Sequence, residues 1–275
     1  MNPQCAPVQR VGNAWSPGSV EERENHETTS AEASTPVPGD LLLDRGDFQI
    51  RLARGARCGE SDVLVQRLYS WRGYEMAQAP ALSDRRPCIT VQACHGAAVF
   101  GTLNVGLDSE RGLASDVLYG REIDAFRRAG AVVSEFTRLA VDPEHGSKDV
   151  LGALFHLTQL IAVYTGATDM FIEVNPRHVG FYKRMLNFQP AGERKLCRRV
   201  NAPAILMHLA VSYMRSQIAR YGGRRDEAQR SLYPYYCSQR EEAQVLRQFG
   251  ALRLDQWVSS SVRRPVGSEL SVARW

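Results

Sequence analysis

Long apolar runs are missing from this 275-residue chain. The two longest, residues 151–162 and 202–211, are interrupted by His156, Thr158 and Gln159 in the first and by His208 in the second. Neither reaches the roughly 18 consecutive apolar residues that a membrane-crossing helix needs, so no integral membrane association is expected. The start of the chain has no basic-then-apolar layout of a secretory leader. The six cysteines (Cys5, Cys58, Cys88, Cys94, Cys197 and Cys237) form no C-x-x-C pair. That argues against a disulfide framework or a zinc site, and for free thiols in a reducing compartment. No metal is expected, and the cytoplasm is the expected location. An internal repeat, an aromatic-interleaved basic stripe of the nucleic-acid-binding kind, and a local Ser/His/Asp or Cys/His signature are likewise absent.

What is present suits a soluble folded protein. Hydrophobic residues make up 44% of the chain, ample for a core. The net charge of +4 is unevenly spread. Residues 1–39 hold two Arg against five Glu, residues 40–189 hold 17 basic and 18 acidic groups, and residues 190–275 hold 15 basic and 7 acidic groups. Positive charge therefore sits in the C-terminal third, where an acidic partner would be steered; a solvated face is the plainer reading.

Composition and periodicity divide the chain. Residues 1–44 are rich in Pro, Ser, Thr and Glu and bury too little apolar surface to offset ordering entropy, so they are expected to be disordered. Phe48 to Ala53 alternates as a half-buried strand does. Ser61 reads as the N-cap of a helix carrying Leu64, Val65, Leu68 and Trp71 and ending at Gly73. Two strand-like runs around His95-Gly96 suggest a hairpin, followed by a helix over residues 116–129. Residues 131–141 read as a strand, 148–164 as an amphipathic helix closed by Gly166, and 170–174 as a short buried strand. Asn175-Pro176 opens the next helix with an N-cap residue and a proline at its first position; it runs to Leu186. A strand near 195–200 and a helix over 202–220 complete the reading, with another helix over 241–249. The expected domains are a folded unit over 45–200, a helical extension over 201–258 and a flexible tail over 259–275. The order predicts an α/β (α+β) protein with one central mixed, mostly antiparallel sheet flanked by helices.

Five segments carry a resemblance: GTLNVGLD (101–108), EIDAFRRAG (122–130), SEFTRLAVD (134–142), VNPRHVGFYKRMLNFQPAG (174–192) and VNAPAILM (200–207). In this order they resemble the GNAT acyltransferases and, within them, long-chain N-acyl amino acid synthases of the FeeM type, relatives of the acyl-homoserine lactone synthases. The resemblance spans about residues 48–221. It implies a GNAT fold and an acyl-phosphopantetheine thioester as co-substrate, donated by acyl carrier protein rather than coenzyme A, acyl-CoA being the alternative, with no cofactor bound permanently. The acceptor would be the amine of an amino acid. A lactone-type signal synthase, an acetyl-CoA-dependent N-acetyltransferase and a non-catalytic GNAT-like binding module remain alternatives.

The donor's amide groups need an exposed strand edge, which Arg138, Leu139, Ala140 and Val141 would supply, with Asn175 beside the pantetheine. Enzymes of this superfamily that use coenzyme A usually place a glycine-rich turn at the head of the following helix, cradling the diphosphate on backbone N–H groups. Here that turn, His145 to Leu151, has one glycine, and Asp149 puts a carboxylate where the diphosphate would lie. This favours a carrier protein, whose arm has a single phosphate, and Arg194, Lys195, Arg198 and Arg199 would dock it. By likeness to the lactone synthases, Glu135 would take the amine proton through a water and Arg138 would hold an acceptor carboxylate; the rival reading is a buried ion pair. At i and i+3 the two share a face only if a bulge intervenes. Tyr182 stands where many GNAT enzymes keep a proton donor, and His178, with a reference pKa near 6.5, would relay protons. Packing roles compete for both. Arg67 and Trp71, four apart on the first helix, would border the acceptor, although core packing of Trp71 is the simpler reading.

Overall fold

Short apolar runs broken by turn residues fold the first part of the chain into an antiparallel ribbon. β1 (Leu41–Asp44), β2 (Gln49–Leu52), β3 (Cys88–His95), β4 (Ala98–Leu107) and β5 (Val133–Val141) pair in that order, each antiparallel to the next. Gly46 at φ +80° and Gly96 at φ +57° turn two of the hairpins, a left-handed backbone that glycine adopts without steric cost. The computed structural model describes residues 40–54, 57–75, 86–252 and 254. The expected tail over 259–275, and all but the last five residues of the N-terminal segment, lie outside them.

The second part of the sheet is wound around one parallel pair. β5 leads into α3 (Lys148–Tyr164), which returns the chain to β6 (Asp169–Val174), parallel to β5. β7 (Gln189–Pro190) and β8 (Lys195–Cys197) both pair with β9 (Ala202–Ala210), which lies antiparallel beside β6. Among the described residues the sheet has nine strands, all neighbours antiparallel except β5 and β6.

The two faces carry different layers. On one, α1 (Arg57–Trp71) packs Leu64, Val65 and Leu68 on Ala140, and α2 (Asp116–Arg128) packs Tyr119 and Ile123 on Val133, Phe171 and Leu206. On the other lies the main core, where Phe136, Met170 and Ile172 meet α3, α4 (Val179–Leu186), α5 (Val211–Tyr221) and α6 (Gln239–Ala251). Up to Phe136 on β5, and along β6, residues of odd and even position serve opposite layers, as the period of a strand requires. α3 is buried from Val150 through Ala162 except at Leu151, which is half-buried. A helix covered nearly all round needs a second layer outside it, and residues 211–252 supply that layer. No helix among the described residues is long and apolar enough to cross a membrane.

Three local readings are corrected. Residues 41–44, inside the segment expected to be disordered, form the edge strand β1. α1 begins at Arg57, so Ser61 is not its cap; its buried hydroxyl accepts from Gln92 Nε2 at 2.7 Å and from Thr102 at 3.2 Å. The helix read over 202–220 is strand β9 followed by α5. Ala, Leu and Met favour helix, but pairing with β6 overrides that preference, and burial along β9 alternates over most of its length.

Candidate functional site

The parallel pairing of β5 and β6 runs from Val133 opposite Asp169 to Phe136 opposite Ile172 and stops there, although β5 continues to Val141 and β6 to Val174. The cause lies in β5. Between Thr137, opposite Asn104, and Ala140, opposite Thr102, it advances three residues against two on β4, and Arg138 takes φ +58°. This is a β-bulge, which bends its strand and re-aims side chains. It is the bulge that lets Glu135 and Arg138 act on a common region despite their spacing. Asp142 N–H donates to Phe100 O at 2.8 Å. By antiparallel alternation Ala140 therefore bonds toward β4, while Leu139 and Val141 present N–H and C=O to the gap. Of the four residues read as the edge, these two carry the open backbone; Ala140 packs beneath α1.

On the α1/α2 side of the gap lies a polar group of residues. Glu135 is buried, and its carboxylate is fully engaged: Ala114 N–H donates to Oε1 at 2.6 Å, and the N–H and hydroxyl of Ser115 donate to Oε2 at 3.0 and 2.5 Å. Burial pushes its pKa up, against the pull of those three donors. Gly106, on the neighbouring strand, leaves it room, since a Cβ there would stand 2.7 Å from Glu135 Cγ. The loop that grips Glu135 is itself pinned by Arg127, which donates to Asp108, Asp116 and Asp124 at 2.7–2.9 Å. Arg138 pairs with Asp62 of α1. Asn104 Nδ2 donates to Cys88 Sγ at 3.9 Å, and both Arg138 and Glu135 act electrostatically on that thiol. Glu173, which the sequence reading passed over, joins this group from β6 and pairs with Arg199 at 2.8 Å. Its signal was an acid near the end of a strand whose centre, Met170 to Ile172, is apolar.

The mouth of the gap is lined from α1 and α4. Tyr69, also missed, is the aromatic residue next to Leu68 on α1; its hydroxyl donates to Leu139 O at 3.5 Å, and burial pushes its pKa up to about 12. Tyr182 is half-buried, its ring edge-on to Phe155, Phe181 and Phe188. Burial, and then the neighbouring Tyr69, hold its hydroxyl far above the usual tyrosine range. Both tyrosines are thus protonated donors. Asn175 Oδ1 caps the turn Pro176–His178 by accepting from Arg177 N at 3.1 Å. His178 is half-buried beside the Arg177 guanidinium at 3.2 Å; burial, Arg177 and Arg72 all lower its pKa, leaving a neutral imidazole at pH 7. Arg177 stacks on Tyr74 at 4.9 Å, and Asn201 donates to Glu75 at 2.9 Å, so the chain after α1 is tied to both sides of the mouth. Arg67 pairs with Asp142 at 2.8 Å, and Trp71 is 71% exposed, which overturns core packing as its role.

At the head of α3, Ser147 Oγ accepts from Val150 N at 3.2 Å, and Asp149 lies between Arg225 at 3.4 Å and Arg45 at 3.8 Å. Of the four cations read as a docking cluster, Lys195 bonds Glu122 at 2.7 Å and lies over the Tyr119 ring, and Arg199 is taken by Glu173, while Arg194 and Arg198 are exposed. Among the described residues no group of three or more His, Cys, Asp and Glu could hold a metal ion.

A mixed sheet that opens between its two parallel strands, with an unpaired backbone edge and two protonated tyrosines at the opening, defines a GNAT-fold N-acyltransferase. The model of the N-acyl amino acid synthase FeeM family matches residues 60–210, more than half of the chain, and the chain belongs to that family. The solved structure of FeeM, an N-acyl amino acid synthase from uncultured soil microbes, is 28% identical and superposes with a TM-score of 0.55, covering 61% of this chain and 97% of that one. A putative N-acetyltransferase from Lactobacillus plantarum (16% identity, TM-score 0.43, 59% and 97% coverage) and the acyl-homoserine lactone synthase BjaI (14%, 0.42, 62% and 87%) are also similar in structure. No curated protein matches the chain.

Proposed function

We propose that this acyltransferase moves a medium- or long-chain acyl group from acyl carrier protein to the amine of an amino acid, by direct attack of the amine on the thioester. The open edge at Leu139 and Val141 carries the reading, because a pantetheine arm has two amides to bond in extended form and this edge offers matching groups. Tyr182, and Tyr69 once its hydroxyl leaves Leu139 O, would donate hydrogen bonds in the opening, where charge develops on the thioester oxygen and then on the departing sulfur. Neutral His178 is the group suited to accept a proton at pH 7, once its Nε2 is released by the single hydrogen bond from Arg177 Nε. Glu135 serves better as an anchor, since taking a proton would cost it bonds to Ala114 and Ser115.

Two features favour the carrier protein as donor. The Val150 N–H, which a diphosphate cradle would use, is occupied by Ser147. Asp149 counts for less than its charge suggests, because Arg225 and Arg45 offset it. In exchange, exposed Lys148, Arg224 and Arg225 gather cationic side chains at the head of α3, and an acidic carrier would meet them there rather than at the β8–β9 hairpin. The free thiols Cys88, Cys197 and Cys237 fit a reducing cytoplasm.

The test is thiol release and product mass from the purified chain given dodecanoyl-carrier protein or dodecanoyl-CoA with the twenty protein amino acids. The expected result is an N-dodecanoyl amino acid formed faster from the carrier. Equal rates from the two donors would overturn the donor assignment, and acylation of simple amines alone would overturn the acceptor.

A further inference from the structure

Glu173 occupies an unusual place in the sheet. The last parallel pair joins Phe136 to Ile172, so Glu173 is the first residue of β6 past the point where the strands part. Its side chain points to the α1/α2 face, the side served by Phe171 two residues earlier. The carboxylate is 7% exposed, a poor place for a charge unless something there uses it. Arg199 NH2 donates to its Oε2 at 2.8 Å, and the Cys197 thiol, its pKa raised by burial and then by Glu173, remains a protonated donor to it. Glu135, by contrast, has both oxygens bound to the α2 loop.

Arg199 differs from an ordinary structural arginine. It is held by Glu173 and the Cys197 side chain and keeps 44% of its own side chain exposed, in the loop between β8 and β9. Its charge acts on Tyr69 and on Glu135, so it stands over the polar side of the gap and not on a remote surface. Asn201, two residues on, fastens the same loop to Glu75 in the chain after α1. An acid inside and a half-open guanidinium at the rim match the two ends of a zwitterion.

We propose that Glu173 and Arg199 form the acceptor-reading pair, with Glu173 receiving the amine and Arg199 the α-carboxylate of the incoming amino acid. The inference rests on the amino-acid acceptor proposed above. It separates Arg199 from the docking surface and makes it a determinant of acceptor choice: the enzyme takes an amino acid over the corresponding amine because Arg199 binds the carboxylate.

The experiment compares, with one fixed acyl donor, the best amino acid and its decarboxylated amine as acceptors. For Arg199→Met the KM of the amino acid should rise about tenfold or more relative to that of the amine, the loss of one charge-assisted bidentate contact, with the KM of the acyl donor unchanged. Arg199→Lys should recover part of the discrimination. Glu173→Gln, which keeps the side-chain volume, should raise the KM of amino acid and amine alike. Thermal melting of each variant checks that it is folded. Intact discrimination in folded Arg199→Met, or a rise in the donor's KM instead, would overturn this assignment alone. Wild-type enzyme that acylates amines but no amino acid would overturn the acceptor reading and this assignment together.

Discussion

With Ala114 N–H on one oxygen of Glu135 and the N–H and hydroxyl of Ser115 on the other, glutamine at this position would turn an amide N–H₂ toward a donor. Glu135→Gln should therefore cost about 1–3 kcal/mol of stability, the penalty of a buried unsatisfied group, measured by urea unfolding. Gly106→Ala should cost a similar 1–3 kcal/mol, roughly the price of overpacking, because its Cβ would stand 2.7 Å from Glu135 Cγ. A Glu135→Gln protein of undiminished stability but without turnover would instead put this carboxylate in the chemistry. His178 makes the complementary case. Its pKa is lowered by burial first and by Arg177 and Arg72 after that, so the ring loses its proton below the ordinary 6.5. If it accepts the proton, kcat/KM rises with pH through a midpoint below 6.5 and is flat above it. His178→Gln should remove that acid limb, and a limb unmoved in the variant would assign it to another group. The same depressed pKa means that protonation opposes folding, so any stability His178 contributes is present above pH 6.5 and declines as pH falls toward its folded pKa.

At the scale of elements, the bulge in β5 decides what the sheet can do, and its backbone and side chain can be tested apart. Arg138 holds φ +58°, a conformation that costs a non-glycine residue about 1–2 kcal/mol. Arg138→Gly should keep or raise the melting temperature while losing the Asp62 pair, and Arg138→Ala should fall below it. Activity lost equally in both would assign the function to the side chain; activity kept only by the glycine variant would assign it to the bulge. The strand–turn–helix–strand–helix unit around it was legible in the sequence, since β5, α3, β6 and the Asn175-Pro176 start each carry a local pattern. It was the resemblance to the GNAT acyltransferases, and no local pattern, that suggested Asn175, Tyr182, Glu135 and Arg138 for one cleft. Glu173 and Tyr69 were not legible, because their importance depends on where β5 and β6 stop pairing and on what α1 covers. β9 was misread for a related reason: its Ala, Leu and Met residues favour a helix, and only the exposed edge of β6 makes them a strand.

In the whole molecule, residues 211–252 lie beyond the matched family region and cover the outer side of α3. Tyr235 sits so close to Gly152 that a Cβ there would approach its backbone to 2.8 Å. Buried His156 accepts the Cys237 N–H at 2.8 Å and faces Glu242 at 3.4 Å, and Arg45 reaches Glu241 at 3.1 Å. This packing brings Arg224 and Arg225 to the head of α3 beside Lys148, the end of the helix nearest the opening between β5 and β6. A carrier whose arm enters that opening must present its body at the same end, and long-range attraction there would act on encounter. Charge reversal of Lys148, Arg224 and Arg225 together should raise KM for dodecanoyl-carrier protein about tenfold and leave KM for dodecanoyl-CoA nearly unchanged. Added salt should raise the carrier's KM in the wild type and have little further effect in the variant. The three side chains are exposed, so the melting temperature should hold; the Arg225–Asp149 pair at the surface contributes about 0–1 kcal/mol. If reversing Arg194 and Arg198 produced the carrier-specific effect instead, the β8–β9 hairpin would be the dock. An equal rise in KM for both donors would mean that the head of α3 binds the phosphate common to them, with no contact to the carrier's surface.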